Sequence, residues 1–317
     1  MVLLEVNDLK TYFFSQKGVA KAVDGVDFTL DKGKAFGLVG ESGCGKTTLA
    51  LSILRLILPP GRIVEGEILL EGKDLLKLNE SQLREIRWKK ISLVFQSAMS
   101  SLNPVIRIGE QISEALIAHE NIRKESAENK VEELFRLVGL DSKRMHSYPH
   151  ELSGGMKQRA LIGMALACEP DLLIADEPVT ALDVVIQARI IKLLKELQKE
   201  LRLSMLIISH NLPVITQTCE KAGVMYAGKM VECADIEKLL SNAKHPYTIE
   251  LLKAIPDLKG GKEHLHSIPG DVPNPLKFPT GCRFHPRCSH AMKICRKQEP
   301  ESISISKGHL ASCHLLG

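Results

Sequence analysis

Aromatic residues are scarce in this chain. Its 317 residues include one Trp, four Tyr and eight Phe, which is 4% of the sequence. Aromatic rings are the usual flat partners of planar ligands, so few side chains are available to stack on one. Any stacking residue must therefore come from a short set of candidates.

Long apolar runs and a strong net charge are also missing. No run approaches the roughly 18–20 apolar residues that span a membrane, and residues 1–8 lack a basic region and reach an acidic residue early, so we expect no signal peptide. The net charge of +4 comes from 42 Lys and Arg against 38 Asp and Glu and forms no stripe. Such a small excess favours solvated helix faces over nucleic acid as a partner. With 44% hydrophobic residues, the chain is long enough for one large core and a smaller appendage.

A phosphate-binding pattern is the clearest positive signal. Residues 40–48 read GESGCGKTT and match G-x-x-x-x-G-K-[ST], with a strand-like segment at 35–39 and a helix-like segment at 49–54. Glycines let the backbone N–H groups point at phosphates, and the following helix adds its positive end. We expect a nucleoside triphosphate there, with Lys46 on the β- and γ-phosphates and Thr47 on Mg²⁺. The predicted loop residues are Gly40, Ser42, Gly43, Cys44, Gly45, Lys46, Thr47 and Thr48, and the Cys44 thiol is expected to be open to alkylation without nucleotide.

A second acidic element lies downstream. Residues 171–178 read DLLIADEP, an apolar run that ends in two acids and predicts a buried parallel strand. Carboxylates at the end of such a strand suit Mg²⁺ binding and water activation. We expect Asp176 to hold Mg²⁺ and Glu177 to polarise the attacking water.

A third motif narrows the class. Residues 152–159 read LSGGMKQR, and the chain from 1 to about 240 then resembles the ABC-type ATPases in the order of its motifs. The resemblance implies that the LSGG segment caps the γ-phosphate bound on an opposite subunit, so that the active unit is a dimer. The partner subunit is either a copy or a related chain. The capping residues implied are Ser153, Gly154 and Gly155.

The same resemblance assigns roles to single residues. It implies that Glu177 is the general base, that His210 contacts the γ-phosphate, and that Gln96 ligates Mg²⁺ and senses the transport channel. It also implies that Asp183 communicates across the dimer. The adenine-stacking residue is Tyr12 or Phe13, and only one can stack because neighbouring strand residues face opposite ways.

The pattern along the chain predicts an α/β fold with a P-loop NTPase core. Alternating strands in 1–34 and 63–72 indicate a small antiparallel subdomain, and residues 97–160 look helical. A packing helix is expected over 184–201, with an apolar stripe at Ile190, Leu194, Leu197 and Leu201. We expect an ATP-binding domain over 1–242 and a C-terminal extension over 243–317.

The extension resembles the C-terminal region of dipeptide/oligopeptide importer ATPases. The residues that carry this are a Pro-started helix at 245–255 that ends at Pro256, residues 268–270 and residues 281–288, together with GRIVEG at 61–66. The resemblance implies an ATP hydrolase on the cytoplasmic face of the membrane that powers peptide import. Its implied partners are permease subunits and, indirectly, an extracytoplasmic peptide-binding protein. A nickel, glutathione or other small-solute importer is the alternative, and a soluble ABC protein of translation or DNA repair is a more distant one.

Four of the eight cysteines lie in the extension, at Cys282, Cys288, Cys295 and Cys313. Clustering in a cytoplasmic protein favours metal over disulfides. The gaps of five, six and seventeen residues leave zinc, an iron–sulfur cluster or no metal open. The resemblance to subfamily members with this tetrad implies a 4Fe–4S cluster, which we expect to fold a tail with few apolar residues of its own.

Overall fold

The computed structural model describes residues 1–95, 101–254 and 268–317. Two compact units emerge from its internal contacts. The first unit comprises residues 1, 31–35 and 77–207, and the second comprises residues 2–30, 36–76 and 208–317. Gln96 and the expected helix end at Pro256 lie outside the described residues.

The described strands are mostly short, apart from the first two. Their bounds are β1 Val2–Ser15, β2 Gly18–Asp31, β3 Ala35–Val39, β4 Gly61–Leu70, β5 Lys73–Asp74, β6 Ile91–Val94, β7 Leu172–Asp176, β8 Ser204–Ser209, β9 Lys221–Tyr226, β10 Lys229–Asp235, β11 Ile303–Ser306 and β12 His309–Ala311.

The described helices include several with polar N-caps. Their bounds are α1 Lys46–Ile53, α2 Glu80–Ile86, α3 Ile108–Glu120, α4 Lys124–Leu137, α5 Gly154–Leu166, α6 Val184–Leu201, α7 Leu212–Thr218, α8 Ile236–Asn242 and α9 Pro246–Lys253. Single 3-10 turns occur at Leu75–Lys77, Ser142–His146, Pro149–Glu151, His285–Arg287, Ile294–Arg296 and His314–Leu316.

The second unit holds the predicted antiparallel subdomain. Its sheet has the order β2-β1-β4-β5, and β1 pairs antiparallel with β4 so that Leu4 faces Leu70 and Val6 faces Ile68. These four side chains are buried, because alternate residues of each strand turn to one face. The prediction of an antiparallel layer is confirmed.

The second unit also carries the strand that leads into the phosphate loop. All five residues of β3 are buried, and β3 pairs in parallel with β9, with Val39 opposite Val224. Beyond β9 the order continues through β10 and β12 to β11, with antiparallel pairing. The tail therefore adds two strands to this sheet, which were not predicted from the sequence.

The first unit contains the acidic strand and the helical arm. Strand β7 is wholly buried and pairs in parallel with β6, its four partners running from Ile91 opposite Leu172 to Val94 opposite Ala175. Between residues 101 and 160 the described chain forms helices and turns without a strand, as predicted. Helix α4 ends before Gly139, whose φ of 67° suits a left-handed residue beyond a helix end.

Helix α6 differs in one detail from the predicted stripe. Ile190, Leu194 and Leu197 are buried, but Leu201 is 46% exposed. Leu201 is the final residue of the helix, and the chain turns at Arg202 with a left-handed φ of 50°. The expected core position of Leu201 is wrong because the helix ends there.

Candidate nucleotide site

The phosphate loop follows β3 and leads into α1. A Cβ added at Gly40 would lie 2.2 Å from the Met225 carbonyl oxygen, and one at Gly45 would lie 2.0 Å from the Ala22 carbonyl oxygen. Both approaches are too close for any side chain. The loop thus wraps as tightly as a phosphate cradle must, with Gly45 as the N-cap of α1.

The Lys46 ammonium lies inside this loop. Its Nζ donates to the Gly40 carbonyl at 2.7 Å and to the Glu41 carbonyl at 3.0 Å, and the side chain is buried. A buried ammonium held by loop carbonyls is a preformed cation within reach of bound phosphates. Thr47 at the first turn of α1 is exposed, so its hydroxyl is open to a ligand.

Cys44 does not fit the expectation that its thiol is open to alkylation. Its side chain is 1% exposed, and burial raises the pKa of the Cys44 thiol. A buried thiol with a raised pKa is a poor nucleophile. Cys44 instead packs beneath the loop, and the Gly40 backbone lies close to the Cys44 Sγ.

Glu41 of the phosphate loop is bound by the tail. Arg287 donates from Nη1 to Oε2 at 2.7 Å and from Nη2 to Oε1 at 3.0 Å, and the Glu41 backbone N–H donates to the Tyr247 hydroxyl at 2.9 Å. This contact was not predicted from the sequence. Glu41 and Arg287 are separated by 246 positions, and no local pattern links them.

Tyr12 and Phe13 have different surroundings. The Tyr12 hydroxyl donates to the Asp24 carboxylate, and the Lys21 ammonium lies 5.5 Å from the Tyr12 ring centre. The Phe13 ring instead packs against Gly61. A Cβ added at Gly61 would lie 2.6 Å from this ring, so the ring occupies the space that the glycine leaves open. Tyr12 is thus beside the β2 segment whose Ala22 carbonyl meets Gly45 of the phosphate loop.

Asp24 is a shared acceptor. It also accepts from the Arg283 guanidinium, and Lys229 Nζ lies 3.9 Å away. Burial alone would raise the pKa of Asp24, but the hydrogen bond from Tyr12 and the charges of Arg283 and Lys229 hold it below its usual value. The carboxylate is therefore ionised and neutralised by its neighbours.

In the first unit, the acidic pair ends β7. Asp176 is 3% and Glu177 is 7% exposed, and Glu177 has a left-handed φ of 52°. The Thr180 hydroxyl donates to Glu177 Oε2 at 2.9 Å. A strained, hydrogen-bonded carboxylate at the end of a buried strand is typical of a functional position.

The LSGG segment begins helix α5. Ser153 is the exposed N-cap, and its hydroxyl accepts from the Met156 N–H at 3.4 Å. Asp183 is the N-cap of α6 and accepts from the Ile186 N–H at 3.0 Å. A Cβ on Gly155 would lie 2.6 Å from Ile186 Cγ2, so the two helix starts pack closely. Ser153, Gly154, Gly155 and Asp183 are thus gathered at adjacent helix N-termini within the first unit.

The remaining predicted site residues are His210 and Gln96. His210 directly follows β8 and is exposed. Gln96 lies outside the described residues, so its expected Mg²⁺ contact stays a prediction.

The four tail cysteines lie within electrostatic reach of one another. Burial raises the pKa of Cys282 to about 11, and the thiols of Cys295, Cys313 and Cys288 add to the rise. Yet within residues 1–95, 101–254 and 268–317, no three His, Cys, Asp or Glu side chains are arranged to hold a metal ion. The described residues thus form no ligand set for the predicted iron–sulfur site, and that site stays a prediction.

The tail is anchored by apolar side chains. Phe284 is buried, and its ring centre lies 5.1 Å from Tyr226 and 5.3 Å from Tyr247. Strand β12 also pairs with β10, with Leu310 opposite Cys233. As expected, few apolar residues of 268–317 are buried, but aromatic packing and strand pairing attach this stretch to the core.

Helices that cross a membrane were not expected. In the part of the chain that the structure describes, no helix combines the length and the apolar character needed to cross a bilayer.

Two family models match the chain. The ABC transporter family matches residues 23–180, and the family described as the oligopeptide/dipeptide transporter C-terminal region matches residues 231–295. The solved dimeric structure of MJ0796, a bacterial ABC transporter cassette, is 25% identical with a TM-score of 0.67. That match covers 74% of this chain and 98% of the other.

Curated relatives match over almost their whole length. The oligopeptide transport ATP-binding protein AppD of Bacillus subtilis is 47% identical over 99% of this chain and 96% of its own. The dipeptide transport ATP-binding protein DppD of the same organism is 42% identical over 99% and 94%. Together with the phosphate loop, the acidic strand and the LSGG helix, these matches show that the chain belongs to the family of ATP-binding proteins of oligopeptide and dipeptide ABC transporters.

Proposed function

We propose that this chain binds and hydrolyses ATP and so powers import of oligopeptides or dipeptides through an ABC transporter. The observation that carries the proposal is the phosphate loop, in which two glycines leave no room for a side chain and Lys46 lies buried among loop carbonyls. The two family matches support the step from ATP binding to peptide transport. We assign 1–242 to the ATP-binding domain and 243–317 to the extension on the same support.

In this proposal the loop binds ATP through charge and N–H groups. Lys46 neutralises the β- and γ-phosphates, while the N–H groups that follow Gly43 and Gly45 donate to phosphate oxygens. Thr47, Asp176 and Gln96 would hold Mg²⁺, which neutralises phosphate charge when bound. The exposed Thr47 hydroxyl and the buried Asp176 carboxylate have the oxygen donors that this cation prefers.

Hydrolysis depends on Glu177. We assign it as the general base that takes a proton from the attacking water, with its carboxylate oriented by the Thr180 hydroxyl. His210 would contact the γ-phosphate from the end of β8. Each role follows the family's motif residue by residue.

A second ATPase subunit completes each site. Ser153 and the glycine N–H groups at the start of α5 would cap the γ-phosphate held by the partner, and Asp183 would relay changes across the dimer. The exposed position of Ser153 supports this role, because a residue that serves another chain must reach the surface. The partner is a copy of this chain or a related one.

For the adenine ring we assign Tyr12. Its ring lies beside the β2 segment that meets the phosphate loop, whereas Phe13 packs against Gly61. A tyrosine held by Asp24 presents a fixed flat face for stacking.

Permease subunits would bind the chain at the cytoplasmic face of the membrane, and an extracytoplasmic peptide-binding protein would deliver the substrate to them. A nickel, glutathione or other small-solute importer remains the second candidate, because an ATPase subunit does not itself contact the solute. The names of the two relatives reported above, which refer to oligopeptides and dipeptides, favour the first.

Uptake in the native cell tests the proposal. Glu177→Gln in the chromosomal copy should abolish uptake of a labelled dipeptide and tripeptide, while uptake of free amino acids stays normal. The matched control is Glu200→Gln, the same chemical change on the exposed face of α6, which should transport like wild type. Normal peptide uptake with loss of nickel or glutathione uptake would move the assignment to the second candidate.

We further propose that Cys282, Cys288, Cys295 and Cys313 bind a 4Fe–4S cluster, with zinc as the alternative. The nearness of their thiols supports it, and so does the Met292 N–H, which donates to Cys295 Sγ at 3.4 Å. Binding requires the loops to draw the sulfurs together, because in the described chain they do not form a ligand set. Its role would be to fix these loops, which bury few apolar residues.

Metal analysis of protein purified without oxygen tests this second proposal. The cluster predicts a brown protein with iron and acid-labile sulfide, both lost in Cys288→Ser but kept in Cys168→Ser, whose thiol lies outside the tail. Stoichiometric zinc would replace the cluster by its alternative. Protein without either metal would contradict both.

A further inference from the structure

Glu41 is a negative charge within a loop built to bind negative phosphates. It occupies the position after Gly40, and its side chain is 28% exposed. Left alone, a carboxylate there would repel the triphosphate. Arg287 faces it with two parallel hydrogen bonds of 2.7 and 3.0 Å, the strongest pairing geometry available to a guanidinium and a carboxylate.

The Arg287 guanidinium is held in place by several hydrogen bonds. Its side chain is only 4% exposed, and each of its nitrogens has at least one hydrogen-bond partner. Besides Glu41, Nε donates to the Pro269 carbonyl at 2.9 Å, Nη2 to the Ile268 carbonyl at 3.1 Å and Nη1 to the Tyr226 hydroxyl at 3.4 Å. All five N–H groups of the guanidinium are thus used, so its charge stays at one place.

A second arginine of the same loop makes a parallel contact. Arg283 donates to Asp24, which also accepts from the Tyr12 hydroxyl, and to the Ala227 carbonyl. Arg283 and Arg287 both lie between Cys282 and Cys288. One short stretch of the tail therefore neutralises two carboxylates, one in the phosphate loop and one beside Tyr12.

We propose that Arg287 is a positioning residue of the nucleotide site, through which the C-terminal region sets the affinity for ATP. This rests on the proposed ATP binding and goes beyond it, since the tail becomes part of the site. Arg287 cancels the charge of Glu41 and holds the start of the loop, and the Tyr247 hydroxyl holds the Glu41 N–H from a second side. By linkage, any change that displaces the Cys282–Cys288 stretch lowers the affinity for ATP, and bound ATP stabilises that stretch.

The test is a double-mutant cycle on the full chain, with dissociation constants for ATP measured by displacement of a fluorescent ATP analogue. Arg287→Met should raise the dissociation constant on the order of tenfold, because it leaves the Glu41 charge unpaired beside the phosphates. In the Glu41→Gln background, Arg287→Met should raise the dissociation constant for ATP less than about twofold, because the repelling charge is gone. Arg296→Met, the same substitution at an exposed tail position, should bind ATP like wild type.

Two results would overturn the inference. One is an unchanged dissociation constant in Arg287→Met. The other is an equal loss of ATP affinity in the wild-type and Glu41→Gln backgrounds, which would mean that Arg287 acts only by stabilising the tail in general. Arg287→Lys adds a further check, since it keeps the charge but loses the paired hydrogen bonds, and we expect an intermediate loss. Failure of the proposed function looks different: wild type and Lys46→Ala would then both fail to bind ATP.

Discussion

At the scale of single residues, Glu177 combines strain with a fixed side chain. A left-handed φ costs a non-glycine residue on the order of 1 kcal/mol or more, and the surrounding structure must offset it. The Thr180 hydroxyl holds one carboxylate oxygen, and the residue is nearly buried. Strain of this kind at the end of a strand fits a side chain that must point in one direction for chemistry.

The two aromatic candidates for adenine should respond differently to substitution. Tyr12→Ala is expected to weaken ATP binding about tenfold, the usual worth of one base–aromatic stack. Tyr12→Phe keeps the ring and should lose little. Phe13→Ala should act mainly on folding, lowering the free energy of unfolding by about 1–3 kcal/mol, because its ring packs against the Gly61 region. Titration with ATP and urea denaturation measure the two effects, and an affinity loss confined to Phe13→Ala would reverse the assignment.

Residues in short motifs were predictable, but their long-range partners were not. Lys46, Asp176 and Ser153 stand at fixed spacings whose chemistry is local, so the sequence alone indicates them. The Arg287–Glu41 pair joins positions 246 apart, and no motif in the sequence connects its two sides. Such pairs depend on how the tail packs, which no spacing rule encodes.

At the scale of elements, two glycines of the phosphate loop, Gly45 and Gly43, can be compared by the same substitution to alanine. Gly45→Ala should abolish ATP binding and lower the free energy of unfolding by about 3 kcal/mol, since the new Cβ meets the Ala22 carbonyl at 2.0 Å. Gly43 also has a positive φ, yet a Cβ added there would meet no atom within 4 Å. Gly43→Ala should therefore cost only backbone strain, about 1–2 kcal/mol. Thermal unfolding compares them, and equal losses would contradict the steric argument.

The start of α9 should make stability depend on pH. His245 caps this helix by accepting from the Tyr247 N–H at 3.0 Å, and burial lowers the pKa of His245 to about 4. The unfolded chain binds this proton near pH 6.5 and the folded chain does not, so stability is complete above that pH and falls as the pH drops towards 4. The loss is about 3 kcal/mol over this window.

Urea unfolding at pH 7.5 and pH 5 measures this effect. His245→Asn keeps an N-cap acceptor but cannot titrate, so its stability should change less between the two pH values. The Glu232 carboxylate accepts the His245 backbone N–H and contacts the His309 ring. Both interactions remain in His245→Asn, so they contribute equally to the pH dependence of the two proteins. An identical pH dependence in wild type and His245→Asn would show that another group is responsible.

Elements were predictable where apolar runs are long. Strands β3 and β7 are continuous buried runs, and α4 and α6 have clear helical periodicity, so their positions follow from the sequence. Strands β11 and β12 were missed because they have four and three residues and their pairing, not their composition, makes them strands. Short edge strands depend on a neighbour that the sequence does not reveal.

At the scale of the whole molecule, the proposed mechanism requires two ATPase subunits for each working pair of sites. Each subunit supplies a phosphate loop in its second unit and an exposed LSGG helix start in its first unit. The isolated chain should hence be a slow ATPase whose specific activity falls on dilution, unless a related partner chain is needed for any activity. Constant activity at high dilution would mean that one chain suffices.

ATP hydrolysis at this site is tested most sharply by measuring ATP occupancy and ATP turnover together in Glu177→Gln protein, beside wild type and Lys46→Ala. We expect Glu177→Gln to bind ATP as wild type does while its turnover falls by about 10²–10⁴-fold, the usual contribution of a general base. Lys46→Ala should lose binding itself. Near wild-type turnover in Glu177→Gln, or wild-type ATP affinity in Lys46→Ala, would overturn the proposed mechanism.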